Sequence, residues 1–214
     1  GVPSSVTFAN RHVGVATSQT ALNITNTNIS GANSNYQEAL NASVASAVGA
    51  TGTGSITGLA AGQTSSAIKV ALAATNVAGN QTGLVTITPV SVASASGLTN
   101  TTLNNKLVSV SGNVYQYAQP TFTGSNPVNF GIVHVGDVVA SKAVGITNTS
   151  MAPSGYQEAL NASISTASSG VTVGGSINGL AQGDSNSALS VGINTASAGS
   201  RSGTATVALL SDGT

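Results

Sequence analysis

Apolar and polar residues alternate with a period of two along most of this chain. Alternation of this kind over four to eight residues, bounded by Gly, Asn and Ser, predicts half-buried β-strands. No window of comparable length carries the apolar stripe of a good helix. The alternating positions are Leu22, Ile24; Leu40, Ala42, Val44; Ile68, Val70, Leu72; Val85, Ile87; Val108, Val110, Val114; Val144, Ile146; Leu160, Ala162, Ile164; Leu189, Val191, Ile193; and Ala205, Val207, Leu209.

Residues 36–47 are the one segment in which a helix competes with a strand, because Gln-Glu-Ala-Leu-Asn-Ala is locally helix-friendly. Glu38, Leu40, Ala42 and Val44 nevertheless share one parity, as the residues on one face of a strand do. We therefore expect a strand here. The glycines at 52, 54, 58, 170, 174, 175 and 179 are expected in tight connections.

The sequence contains a long internal repeat. Residues 36–43, YQEALNAS, return unchanged at 156–163, and the surrounding sequence follows at an offset of 120 to 122, with Phe8 matching Phe130 and His12 matching His134. A period this long is a whole domain, well above the roughly 20–50 residues of a solenoid unit. We predict an all-β protein of two tandem immunoglobulin-like β-sandwich domains, residues 1–117 and 118–214. Tandem copies suit a function that depends on length or multiplicity.

The two copies differ at their ends. The first finishes with a strong predicted strand at 106–115, whereas the second stops at residue 214 without a counterpart. A sandwich that lacks an edge strand exposes backbone groups and part of its core. Two explanations stay open. The chain is a piece of a longer array, or another copy or a neighbouring protein donates the strand. The chain begins with Gly1 and has no signal-peptide pattern, so we expect a processed product or part of something longer.

Composition narrows the function. Only 5% of residues are charged and the formal net charge is zero, so the clustered cations that bind nucleic acid or anionic membranes are missing. The chain has no cysteine and no apolar run of about 18 residues that would insert into a membrane. A nearly uncharged surface rich in Ser, Thr and Asn gives little repulsion between molecules. This suits a protein that assembles or coats a surface.

One family is similar to this sequence. The segments FGIVHVG at 130–136 and AVGITNT at 143–149 resemble the opening of a choice-of-anchor D repeat, and VSVSGNVY at 108–115 resembles the end of one. The first copy departs from the opening motif at Ala9 and Asn10. The resemblance implies an immunoglobulin-like fold, related to the Hydin type, in a large secreted or surface-anchored bacterial protein. It assigns no catalytic residue.

Few residues are candidates for chemistry. His12 and His134 occupy equivalent places in separate copies, where each is expected to satisfy a turn carbonyl; only Asp137 lies nearby as a second metal ligand. Glu38 and Glu158 are the only glutamates, one per copy, and are expected to accept backbone N–H bonds at a strand entry. An isopeptide bond activated by them is disfavoured, because Lys69 and Lys142 are not repeated. No catalytic, metal or cofactor site is predicted.

We therefore predict a non-catalytic structural or adhesive repeat of a bacterial extracellular or cell-surface protein, fibre or matrix. Its expected partners are other copies, neighbouring repeats or a strand donor that completes the second copy; nucleic acid and membrane insertion are not expected. The alternative is a module of a secreted protein that binds a glycan or protein ligand through loops such as residues 29–35.

Overall fold

The computed structural model describes residues 1–29, 33, 36–93, 97–166 and 168–213. Throughout these ranges the regular structure is β-strand, and none of them contains an α-helix. The chain divides into two compact units, Gly1–Val114 and Tyr115–Thr214. The predicted all-β class is confirmed, and the ambiguous segment at 36–47 contributes to a ten-residue strand rather than a helix.

The first unit has twelve strands in its described part, counting the one that reaches Tyr115. Their bounds are β1 Ser5–Thr7, β2 Arg11–His12, β3 Thr20–Ala21, β4 Ile24–Thr25, β5 Ala39–Val48, β6 Ala50–Thr53, β7 Ser55–Leu59, β8 Thr64–Ser65, β9 Lys69–Leu72, β10 Gly79–Val92, β11 Thr101–Thr102 and β12 Lys106–Tyr115.

The large sheet of the first unit has the order β1-β12-β10-β5-β7, with β2 beside β12 and β11 beside β10. Smaller sheets, β3-β9-β6 and β4-β8, face it. Side chains from both layers meet in one core, including Leu22, Ile68, Val85, Ile87 and Val108. Each of these is at most 1% exposed, so the period-two pattern has placed the aliphatic residues between the layers.

The second unit has seven strands in its described part, namely β13 Pro120–Thr123, β14 Lys142–Asn148, β15 Ala159–Thr166, β16 Val171–Gly174, β17 Ser176–Leu180, β18 Ser185–Ile193 and β19 Ala205–Asp212. They form two sheets, β13-β14-β18-β16 and β17-β15-β19. Ile146 and Leu189 from the first sheet pack with Leu160, Ala162 and Ile177 from the second. Both units are therefore β-sandwiches.

The glycine prediction is correct at three positions. Gly170 lies in the turn before β16. Gly54 and Gly175 lie between consecutive strands with φ of 88° and 91°, a conformation that costs glycine little. A Cβ at either of these two places would also collide with a backbone carbonyl, that of Ala67 or Ala188. The prediction was wrong for the glycines at 52, 58, 174 and 179, which lie inside strands.

Candidate functional site

The repeated segment forms the same polar network in both units. Asn26 Nδ2 donates to the carbonyls of Glu38 and Leu59 at 3.0 and 2.9 Å. Asn148 Nδ2 donates to those of Glu158 and Leu180 at 3.0 and 3.1 Å. Each asparagine therefore joins its own layer to two segments of the opposite sheet. Sequence reasoning missed this role, although the repeated Ile-Thr-Asn-Thr was a usable signal.

Both glutamates bond to a serine of the neighbouring strand. Ser91 Oγ donates to Glu38 Oε2, and Ser211 Oγ donates to Glu158 Oε2. The serines lie on β10 and β19, the strands that pair with β5 and β15 just after each glutamate. Each carboxylate thus accepts a hydrogen bond from a side-chain hydroxyl of the adjacent strand, and the predicted backbone N–H bonds stay a prediction.

The histidines and lysines do not come together in a catalytic arrangement. His134 is almost fully exposed, with its Nδ1 3.5 Å from Asp137 Oδ2. Lys142 Nζ donates to the carbonyl of Asn129 at 2.6 Å and lies 5.4 Å from the centre of the Phe130 ring. Among the residues described, no group of three or more His, Cys, Asp or Glu side chains could hold a metal ion.

The candidate functional site is an open sheet edge in the second unit. The first unit shows how such an edge is covered. There β12 lies between two strands. It pairs antiparallel with β10, from Gly79↔Val114 to Ile87↔Lys106, and parallel with β1, where Val6 faces Val110. Val108, Val110 and Val114 point inward and are at most 1% exposed. β12 therefore fills a slot and closes the core.

The second unit leaves the corresponding slot empty. β19 ends its sheet with β15 as its sole strand neighbour among the described residues. By the match of Phe8 with Phe130, residues 127–129 take the place of β1, and they are not in a strand. Between them lies a groove of about 560 Å³. We call it the β19 groove; its lining includes Phe122, Val128, Phe130, Val144, Val191 and Val207.

Burial shows that the groove is uncovered core. Ile87 faces Val44 on β5 and is fully buried, whereas Val207, which faces Ile164 on β15, is only partly buried. Farther along the same strands, Pro89 is buried but Leu209 is 40% exposed. The same inward positions thus lose their cover in the second unit. An exposed apolar surface bordered by an unpaired strand edge is typical of a protein interaction site.

The strand beside the groove, β19, is also shorter than its counterpart β10 in the first unit. In the first unit β10 begins at Gly79, and Ala78-Gly79 matches Ala198-Gly199 in the repeat. In the second unit β19 begins only at Ala205, so residues 199–204 are not in a strand. Because β12 pairs with this part of β10, we attribute the shorter β19 to the missing neighbour.

The loop of the alternative prediction, residues 29–35, lies mostly outside the described residues, which include only Ile29 and Asn33 of it. Ile29 is 70% exposed. Ligand binding through this loop stays a prediction. Within the described ranges, no helix is long and apolar enough to cross a membrane.

Comparison with known proteins assigns no family to this chain. No family model matches the chain, and no curated protein matches it. Among solved structures, it is similar to the pre-assembly complex of CsuC with CsuE, a chaperone and tip adhesion subunit from archaic chaperone-usher Csu pili of Acinetobacter baumannii. The identity is 12% and the TM-score 0.36, covering 97% of this chain and 98% of that chain. A likeness this weak supports no inference about function, and the resemblance to choice-of-anchor D repeats stays a prediction.

Proposed function

We propose that this chain is a non-catalytic structural element of a bacterial extracellular or cell-surface assembly, in which a β-strand from another polypeptide segment completes the second unit. The observation that carries the proposal is the β19 groove, which exposes the positions that β12 covers in the first unit. The donor is a neighbouring repeat or another copy of the protein. An adhesive or fibre-forming role follows from joining repeats in this way.

Backbone hydrogen bonding supports an inserted strand. A donor that takes the place of β12 would run antiparallel to residues 199–207 and parallel to residues 127–129, following the register of the first unit. It would satisfy N–H and C=O groups on both sides of the slot, and unpaired backbone groups are costly once apolar side chains exclude water. Strand addition of this kind takes its affinity from main-chain bonds and its specificity from alternate side chains.

Side-chain size supports a donor with small aliphatic residues. Three of the four inward positions of β12 are valine, and the fourth is Gly112. Covering Val207 and Leu209 with such side chains would bury apolar surface that the isolated unit leaves in water, at roughly 25 cal/mol per Å². The low charge of the chain also removes a barrier to close approach between copies.

The test is a peptide with the sequence of residues 106–115, added to the full chain. Binding is measured by fluorescence anisotropy and located by hydrogen exchange. We expect protection of amides within 199–207 and at Val128 and Asn129, together with a second unit stabilised by about 2.7 kcal/mol when the peptide is at a hundred times its Kd. A scrambled peptide of the same composition is the control.

Two variants test the location. Val207→Asp places a charge inside the groove and is expected to abolish binding, whereas Thr206→Asp, on the outer side of β19, retains it. Absence of binding at millimolar peptide, or protection confined to the first unit, would overturn the proposal.

A further inference from the structure

We infer that the β19 groove selects a donor strand with a carboxylate side chain beside Arg201. The inference rests on the proposed function and adds to it the chemistry of the partner. Arg201 is the one charged residue among the described residues that line the groove. Lys142 Nζ, bonded to the carbonyl of Asn129, borders the opposite edge of the slot, and no acid is among the described residues that line it. A partly desolvated slot bordered by cations favours an anionic partner over a neutral or cationic one.

The guanidinium of Arg201 does not use all of its hydrogen-bond donors within the described structure. Nη2 donates to the carbonyl of Ser197 at 2.6 Å and contacts the Ser197 hydroxyl. Nε is buried and has no hydrogen-bond partner among the described residues. Buried polar atoms are normally paired, and a carboxylate is the acceptor that best fits the planar, charged group of arginine. Nε of Arg11 in the first unit is buried and unpaired in the same way, so the inference rests on the charge of Arg201 beside the groove. Because Nη2 makes the bond to Ser197, that charge stays available to a donor carboxylate without loss of this bond.

The first unit gives the neutral form of the same position. Gln81 stands where the repeat has Arg201, and its Nε2 donates to the carbonyl of Val77 at 3.0 Å. Both side chains are thus anchored to the residue four positions earlier, Val77 or Ser197, and both belong to the inward parity of their segment. The difference is one positive charge. A strand that fills the slot of the first unit needs no acidic side chain. A strand that fills the slot of the second unit binds more tightly if it carries one.

The register shows where the acid belongs. Gln81 faces Gly112 in the first unit, and a Cβ on Gly112 would lie 2.9 Å from Leu72 Cδ1 and 3.2 Å from Phe8 Cβ. The corresponding donor position in the second unit faces Arg201 and has Phe130 and Ile193 in place of those neighbours, so it has little room for a side chain. The next inward position is that of Val114, which faces Gly79. Its diagonal distance to Arg201 is within reach of a glutamate.

The experiment uses three ten-residue probes with the sequence 106–115, in which Val114 is replaced by Glu, Gln or Lys. With the full chain at low salt, we expect the Val114→Glu probe to bind about threefold more tightly than the Val114→Gln probe, and the Val114→Lys probe to bind more weakly than either. High salt should bring the three affinities together. Equal binding of the Glu and Gln probes at low salt would overturn the inference.

Variants of the protein assign the effect to Arg201. Arg201→Gln, which installs the residue of the first unit, should make the Glu and Gln probes equivalent, and Arg201→Lys should retain the preference. Arg11→Gln is the matched control, since it removes the same charge from a residue of the first unit that does not line the groove, and it should leave the preference intact. A preference that survives Arg201→Gln would refute the assignment. If no probe binds at all, the proposed function fails; if all bind alike, only the charge selection fails.

Discussion

Ser211 Oγ donates a hydrogen bond of 2.7 Å to Glu158 Oε2, and Ser91 and Glu38 form the same bond at 2.5 Å in the first unit. A bond from a hydroxyl to a carboxylate is shorter and stronger than one between neutral groups. It ties β19 and β10 to the strands that carry the repeated eight-residue segment. The repeated segment therefore makes the same strand-to-strand bond in both units.

The pair of Ser211 and Glu158 should be coupled energetically. We expect Ser211→Ala to lower the free energy of unfolding of the second unit by about 1–2 kcal/mol, because Ser211 Oγ also accepts from the backbone N–H of Ala118. A double-mutant cycle with Glu158→Gln should give a coupling of about 1 kcal/mol. Ser165→Ala, at an exposed position of β15, is the control. Strictly additive effects would show that the two groups do not stabilise each other.

Asn148 is expected to be the most sensitive polar residue of the second unit. It is fully buried, and its Oδ1 accepts from the Gln119 N–H and from Gln157 Nε2, both at 2.8 Å. Asn148→Ala leaves several buried groups unpaired and should cost about 3 kcal/mol. Urea unfolding with amide exchange as the readout measures this cost. A loss under about 1 kcal/mol, similar to that of the exposed Asn178→Ala, would contradict the role.

Equivalent inward residues should differ in their contribution to stability. Ile87→Ala in the covered strand is expected to cost about 3 kcal/mol, because it creates a cavity in a closed core. Val207→Ala in the uncovered strand should cost less than about 1 kcal/mol, since its side chain is only partly buried. Adding the 106–115 peptide should raise the cost of Val207→Ala and leave that of Ile87→Ala unchanged. Equal costs without peptide would mean that the groove is closed in solution.

Gly112 should tolerate no side chain. A Cβ there meets Leu72 and Phe8 at 3.2 Å or less, so we expect Gly112→Val to destabilise the first unit by about 1–3 kcal/mol. The same substitution in the peptide should weaken its binding to the second unit, where Ile193 and Phe130 replace those neighbours. Gly58→Ala is an informative comparison, because no atom lies within 4 Å of its added Cβ and its cost comes from the backbone alone. A Gly112→Val peptide that binds normally would rule out a shared register.

Period-two alternation predicted the long strands, since inward aliphatic residues such as Val85 and Val108 are the ones that the two layers bury. It did not indicate the shorter strands, such as β1, β6 and β17. It could not show which strands pair. The parallel contact between β1 and β12 joins Ser5 with Ser109, and no local pattern encodes a pairing at that separation.

The candidate site was anticipated in part. The absence of a counterpart to residues 106–115 predicted an open edge, and β19 has one in the described structure. The proposed role of Arg201 was not predicted from the sequence. It depends on the place of the side chain beside a groove that forms only in the folded structure. Single polar residues in a Ser- and Asn-rich chain give no comparable signal in sequence.

The parallel pairing of β1 with β12 has a consequence for biosynthesis. Ser5 leaves the ribosome long before Ser109, an interval of about 5 to 20 seconds at typical elongation rates. Until β12 has been made, the nascent first unit exposes the aliphatic interior that the second unit presents at β19. A chaperone that acts early, or a sister chain that binds too soon, would therefore contact the nascent first unit at the edge that β12 later covers.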